Sequence, residues 1–148
     1  MAKYSQIAVI AVIAERAMES CIAMEPLLDN PASVMNYLAT KLRHKQHEVF
    51  ACILLDVRLN LLHYEELFRG SLSGTSVYPR EVVKLVLKMN ASAIIFAHNH
   101  PSGNTKPSNA DKQITERLQQ ALGLIDVTVI DHIIVGEDTY SMAEHGLL

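Results

Sequence analysis

The sequence predicts one α/β domain, a mixed β-sheet flanked by helices. Its 148 residues suit a single domain, and 49% apolar with 20% charged residues is ordinary for a globular chain with a real core. Short apolar runs with β-branched members, Val49 to Leu55 and Ala93 to His100, read as strands buried on both faces. Segments with helical start and stop signals lie between the strands, and this alternation defines the class. No repeat, low-complexity segment or interdomain linker interrupts it.

Taken in order, Ser5 to Ala23 is rich in Ala, Ile, Met and Glu and free of Gly and Pro. It predicts a helix that is apolar around much of its circumference. Asn30 caps a second helix with Pro31 at its first position; Val34, Leu38 and Leu42 form its buried stripe, and Lys41, Arg43 and Lys45 favour its C-terminal end. The texture changes at Glu48, which divides the chain into N-terminal helices over 1–47 and a unit over 48–148 on which they pack as one structure. Val49 to Leu55 is the first strand, Arg58-Leu59-Asn60 a turn, and Leu61 to Phe68 a second strand antiparallel to it. A loop with Gly70 and Gly74 leads to a helix from Pro79 to about Met89, stopped by a left-handed Asn90. Ala93 to His100 is a strand cut off by Pro101. Ser108 to Leu122 is a helix closed by Gly123, Asp126 to Val135 a strand, and Tyr140 to Met142 a short last strand after a turn.

Charge and composition exclude several classes. The net charge of −3 lacks the basic excess of a protein that grips phosphates, which argues against direct nucleic-acid binding. Cys21 and Cys52 are too few for a disulfide framework or a Cys-rich zinc site, and read as small buried hydrophobes of a reducing compartment. The apolar run Ile7 to Ala14 is too short to span a bilayer, and no clean cleavage site follows it. A cytoplasmic protein is expected.

The chemistry concentrates between His98 and Asp111. Side chains alternate along a strand, so His98 and His100 project from one face and can converge on one ion. Pro101 ends the strand, the Ser-Gly-Asn-Thr-Lys-Pro segment reverses the chain, and Asp111 falls in the first turn of the next helix. Two imidazoles and one carboxylate suit a zinc ion, one per chain, with a fourth position open to water. A His-x-His pair alone is weak in a chain with seven histidines. A Ser and an Asp at fixed later positions make it specific. Ser108 and Asp111 also fit a capping box, a purely structural role, and two satisfied core histidines are the bland alternative for His98 and His100.

This string resembles the signature of the JAB/MPN-plus (JAMM) metalloproteases: a Glu at a distance, His-x-His, seven residues, Ser, two residues, Asp. More narrowly the chain resembles the RadC branch. The phrases that carry the likeness are Glu-Val-Phe at 48–50, Tyr-Pro-Arg-Glu at 78–81, Asn-Ala-Ser-Ala at 90–93, His-Asn-His-Pro-Ser-Gly at 98–103 and Asp-His-Ile-Ile-Val-Gly at 131–136. The resemblance implies a cytidine-deaminase-like JAB/MPN architecture. It also implies hydrolysis of a peptide or isopeptide-like amide by a metal-activated water, with a peptide or protein as substrate. Glu48 would be the general base among four upstream candidates, the others being Glu65, Glu66 and Glu81, and Ser108 would donate to the developing oxyanion. RadC members usually carry an N-terminal helix-hairpin-helix region, and this sequence is read as beginning after it, which weakens an inherited DNA-binding role. Asn99 stands where deubiquitinating relatives have Ser or Thr, so ubiquitin-like substrates are not implied.

Two other functions stay open: a DNA-repair or nucleic-acid-associated accessory, and a metal-binding interaction module without turnover. His132 shares a strand face with Ile130 and Ile134 and reads as a core histidine or one behind the ligands. Arg69, Arg80 and Lys106 read as solvated charge with substrate contact as the alternative. The substrate and any homo-oligomeric state are left open.

Overall fold

The computed structural model describes residues 30–70 and 77–148; the expected helix over 5–23, Cys21 and Gly74 lie outside them. Helix α1 covers Pro31–Leu42, and Asn30 caps it as expected, its Oδ1 accepting the Ser33 N–H at 2.9 Å. Strands β1 (Val49–Leu55) and β2 (Leu61–Arg69) form an antiparallel hairpin. Asp56 holds its turn by accepting the Arg58 and Asn60 N–H groups, with Leu59 left-handed at φ +64°. Helix α2 (Pro79–Lys88) is stopped by Asn90 at φ +52°, as its sequence predicts. Strand β3 (Ala93–Asn99), helix α3 (Asn109–Gly123), strand β4 (Thr128–Val135) and strand β5 (Thr139–Ser141) follow among the described residues.

The five strands lie in the order β2-β1-β3-β4-β5. Only β3 and β4 are parallel, and α3 makes the crossover between them. Strand alternation sorts the apolar residues into two cores. On one face Val49, Ala51, Ile53, Ala93, Ile95 and Ala97 pack with Leu38 and Leu42 of α1. On the other, Phe50, Cys52, Leu54, Ile94 and Phe96 pack with Val82 and Val86 of α2 and with Leu118 and Leu122 of α3. Residues of β3 with even numbers therefore face α3, and the next even residue after Phe96 is His98. The fold is the single α/β domain with helices on both faces that the sequence predicts.

Several boundaries shift by one or two residues from expectation, β2 ending at Arg69, β3 at Asn99 and α3 starting at Asn109. Gly123 does not close α3; it is the last helical residue, and the chain reverses at Asp126, left-handed at φ +58°. Asp adopts that conformation more readily than most side chains, so β4 starts at Thr128 instead of Asp126. The Gly136 N–H bonds the Asp138 carbonyl at 2.8 Å, and this tight turn brings Thr139 opposite Val135, so β5 is 139–141 instead of 140–142. A bulge in β4 opposite Ile94 and Ile95 breaks the alternation over 130–134. Ile130 thereby packs in the α1 core, while His132 stays with Phe96 on the α3 side.

Among the described residues, no helix is long and apolar enough to cross a membrane.

Candidate metal centre

Pairing with both β1 and β4 fixes the end of β3. The His100 N–H still reaches the Val135 carbonyl at 2.8 Å, so the strand geometry extends one residue past β3 and both histidines emerge on the α3 face. Gly103, at φ +84°, turns the chain back, and its carbonyl accepts the Glu137 N–H at 3.0 Å. That contact ties the reversing loop to the β4–β5 turn. Gly136 belongs in that turn because a Cβ there would lie 2.3 Å from the Gly103 oxygen. The loop delivers Ser108 as the cap of α3. Its Oγ accepts the Asp111 N–H at 3.1 Å, and its own N–H donates to Asp111 Oδ2 at 2.7 Å.

The result is a compact cluster. His98 Nε2 lies 2.9 Å from His100 Nε2 and 3.2 Å from Asp111 Oδ1, and His100 Nε2 lies 3.6 Å from Asp111 Oδ2. His98 and Asp111 are fully buried, and His100 opens to the surface. One atom each of His98, His100 and Asp111 lies within 4.8 Å of the others, close enough for a shared ion.

The donor chemistry fits a cation. A carbonyl can only accept, so the 2.6 Å contact between His100 Nδ1 and the Asn104 oxygen puts a proton on Nδ1 and, in the neutral ring, leaves Nε2 with its lone pair. Asp111 Oδ1 is buried with no hydrogen-bond partner among the described residues; its 3.2 Å approach to His98 Nε2 lacks hydrogen-bond geometry. Asp111 Oδ2, by contrast, accepts the Ser108 hydroxyl at 2.7 Å and the Ser108 N–H. One carboxylate oxygen is thus anchored, and the other is aimed at the histidines. Burial works against ionisation of Asp111, but its contacts with His100, His98 and Ser108 outweigh it and hold the carboxyl well below the ordinary range. The same carboxylate raises His100, against the opposing effect of burial.

Behind His98 the contacts continue inward. His98 Nδ1 meets His132 Nε2 at 2.8 Å, and His132 Nδ1 meets Thr115 Oγ1 at 2.5 Å. Burial lowers the basicity of His132, which keeps it neutral. Phe50 stacks along His98 with 13° between the ring planes and meets His132 edge-on. His132 is therefore a buried residue behind His98, one of the two roles read for it. Thr115 was not among the sequence candidates; its signal is its place one helical turn after Asp111 on the same face of α3.

Glu48 lies half-buried just before β1, and its carbonyl accepts the Gly70 N–H at 2.9 Å. Phe50 pairs with His98, so continuing that antiparallel register by two residues brings Glu48 across from His100. Its charge contributes to the raised basicity of that ring. The other three glutamates lie elsewhere with other partners: Glu65 with His63 at 2.7 Å, Glu66 with Lys45 at 3.0 Å, and Glu81 with Lys84 at 3.0 Å. Arg69, Arg80 and Lys106 are exposed.

Strand-borne histidines beside the capped start of a crossover helix, in a sheet of this order, define a JAB/MPN-type domain with a site able to hold a metal. The comparisons narrow the class: the RadC-like JAB domain profile matches residues 28–147, and the chain belongs to that family. A UPF0758 protein of Cellvibrio japonicus is 50% identical over 149 positions, covering all of this chain and 66% of its own length. A UPF0758 protein of Pseudomonas fluorescens is 50% identical over 146 positions, covering 98% of this chain and 65% of its own. One from Leptothrix cholodnii is 51% identical over 148 positions. The chain spans about two thirds of the length of these relatives.

Proposed function

We propose that this chain is a zinc-dependent metallohydrolase of the JAMM type, acting in the cytoplasm on a peptide or isopeptide-like amide bond of a peptide or protein substrate. The observation that carries the reading is the set of three converging acceptors, His98 Nε2, His100 Nε2 and Asp111 Oδ1, with a glutamate across from its open side. His98, His100 and Asp111 would hold one zinc ion, whose chemistry there is Lewis-acid polarisation of the amide carbonyl and acidification of water. Glu48 supplies the base. Its carboxylate takes a proton from the attacking water and returns it to the departing nitrogen as the C–N bond breaks. The buried wall of Phe50, His98 and His132 keeps bulk water from the inner side of the site. Ser108 orients Asp111 through its hydroxyl and, turned outward, would donate to the oxyanion.

One observation favours a second reading, a metal-binding interaction module without turnover. The single Ser108 hydroxyl proton is held by Asp111 Oδ2 and is not aimed at open solvent. A joint measurement separates the two. Elemental analysis of the purified protein should give about one zinc per chain, lost in the His98→Ala/His100→Ala variant. A pool of quenched-fluorescent peptides should be cleaved by wild type and left intact by Glu48→Gln at equal zinc content. Zinc without cleavage supports the module, and full zinc in the double variant removes the metal assignment.

A further inference from the structure

Of the six buried polar residues among those described, four form one connected chain: Asp111, Thr115, His132 and His98. Its proton directions follow from counting donors. The Asp111 carbonyl can only accept, so at 2.6 Å it receives the one Thr115 hydroxyl proton, the usual bond of a helical Thr to the residue four before it. Thr115 Oγ1 then has only lone pairs left for His132 Nδ1 at 2.5 Å, and that nitrogen must carry the N–H. A neutral imidazole has one N–H, so His132 Nε2 is an acceptor. At 2.8 Å from it, His98 Nδ1 must be the donor, and His98 Nε2 keeps its lone pair. The sequence of bonds starts at one ligand's backbone and ends by setting the ring of another.

We propose that Thr115 and His132 form a hydrogen-bond relay that locks His98 in its Nδ1–H tautomer, making both of them positioning residues for the metal centre. The relay deepens the proposed function and rests on His98 being a ligand. No change of charge is involved; what is fixed is which of two neutral tautomers His98 adopts. On its other side His98 Nε2 faces two acceptors, His100 Nε2 at 2.9 Å and Asp111 Oδ1 at 3.2 Å. Without a cation these would draw the proton to Nε2, so only the relay holds it on Nδ1. His100 takes its tautomer from the Asn104 carbonyl at the surface, but His98 is fully buried and meets only His132 at Nδ1. Without the Thr115 hydroxyl, His132 is free to place its proton on Nε2. It would then donate to His98 Nδ1, push the His98 proton onto Nε2 and block the ligating atom. Outer partners of metal-bound histidines have this orienting role generally.

The test reads tautomers and metal affinity separately. Long-range 1H–15N spectra of metal-free protein labelled with 15N-histidine should show His132 and His98 both protonated at Nδ1 and bare at Nε2. Zinc affinity, measured by competition with a chelator, should fall about 10–100-fold in Thr115→Val, the range for lost outer partners, and stay within about threefold of wild type in Thr115→Ser. An Nε2-protonated His132 in the wild type overturns the relay, whatever the zinc result. So does a folded Thr115→Val that binds zinc as wild type does. The predicted tautomers in a protein that takes up no zinc would uphold the relay and overturn the metal reading instead. If Thr115→Val fails to fold, the wild-type spectra still decide.

Discussion

Asn99 clamps the backbone that leads into Glu48: its Oδ1 accepts the Val49 N–H at 2.7 Å, and its Nδ2 donates to the His47 and Lys45 carbonyls at 3.0 and 3.3 Å. The residue between the two histidines points to the opposite face of the sheet from them and is fully buried there. One short stretch of β3 therefore carries the two histidines that could hold a metal on one side and fixes the approach to Glu48 on the other.

Asn99→Leu keeps the shape and removes all three bonds. A buried N–H left without a partner costs about 1–3 kcal/mol, and the two carbonyls, partly solvated, add less. The variant should lose about 3 kcal/mol in chemical denaturation. Zinc affinity should hold, because His98 and His100 keep their own bonds, while turnover falls as Glu48 loses its fixed position. Equal loss of zinc and turnover would show that the clamp serves the whole strand end instead of the base.

Most of the fold was legible because its signals are local. Asn30 and Pro31 start one helix, Asn90 stops another, and continuous apolar runs mark β1 and β3. The His98, His100 and Asp111 grouping was legible for the same reason, since one strand, one reversal and one helix start lie within fourteen residues. The parts that were not legible depend on partners distant in the chain. The bulge that separates Ile130 from His132 is a property of the β3–β4 pairing. Thr115 gains its role from a histidine seventeen positions away, and Asn99 from backbone more than fifty positions before it. Among the four glutamates, position at the start of the buried strand and the resemblance singled out Glu48, which the β1–β3 register brings across from His100.

Gly136→Ala tests whether the β4–β5 turn supports the site. The added Cβ would meet the backbone oxygen of Gly103 at 2.3 Å, and backbone cannot yield as a flexible side chain does. Overpacking of this kind costs about 1–3 kcal/mol. The displaced loop carries Asn104, whose carbonyl sets His100, so zinc affinity should fall with stability. Unchanged melting temperature and zinc affinity would mean the loop is not held by this contact.

Cys52 is buried in the α3-side core, and burial, then the charge of Glu65, pushes its thiol up to about 12. At pH 8.5 a free thiol is about half ionised, whereas this one stays protonated and is sterically covered. In a Cys21→Ser chain, iodoacetamide at pH 8.5 should leave the native protein unlabelled and label it promptly in denaturant. Labelling of the native protein at the rate of a free thiol would show that the core opens there.

Ser108 separates structure from chemistry, because its hydroxyl now does two things. It accepts the Asp111 N–H as the cap of α3 and donates to Asp111 Oδ2, which aims Oδ1 at the histidines. Ser108→Ala removes both bonds, and loss of the cap alone should lower stability by ~1 kcal/mol. The Ser108 N–H still holds Asp111 Oδ2 at 2.7 Å, so zinc should remain bound, though more weakly. If the hydroxyl also turns to the oxyanion during hydrolysis, turnover per zinc-loaded molecule should drop on the order of 10²-fold, the usual cost of one such donor. Ser108→Thr keeps the cap acceptor and the donor, so it should hold stability and rate near wild type. An acidic replacement is a poor control, since it would set a second carboxylate against Asp111 Oδ2. We expect the large loss in Ser108→Ala with rescue by Ser108→Thr. An alanine variant that turns over at the wild-type rate per bound zinc would leave capping and carboxylate orientation as the whole role of Ser108.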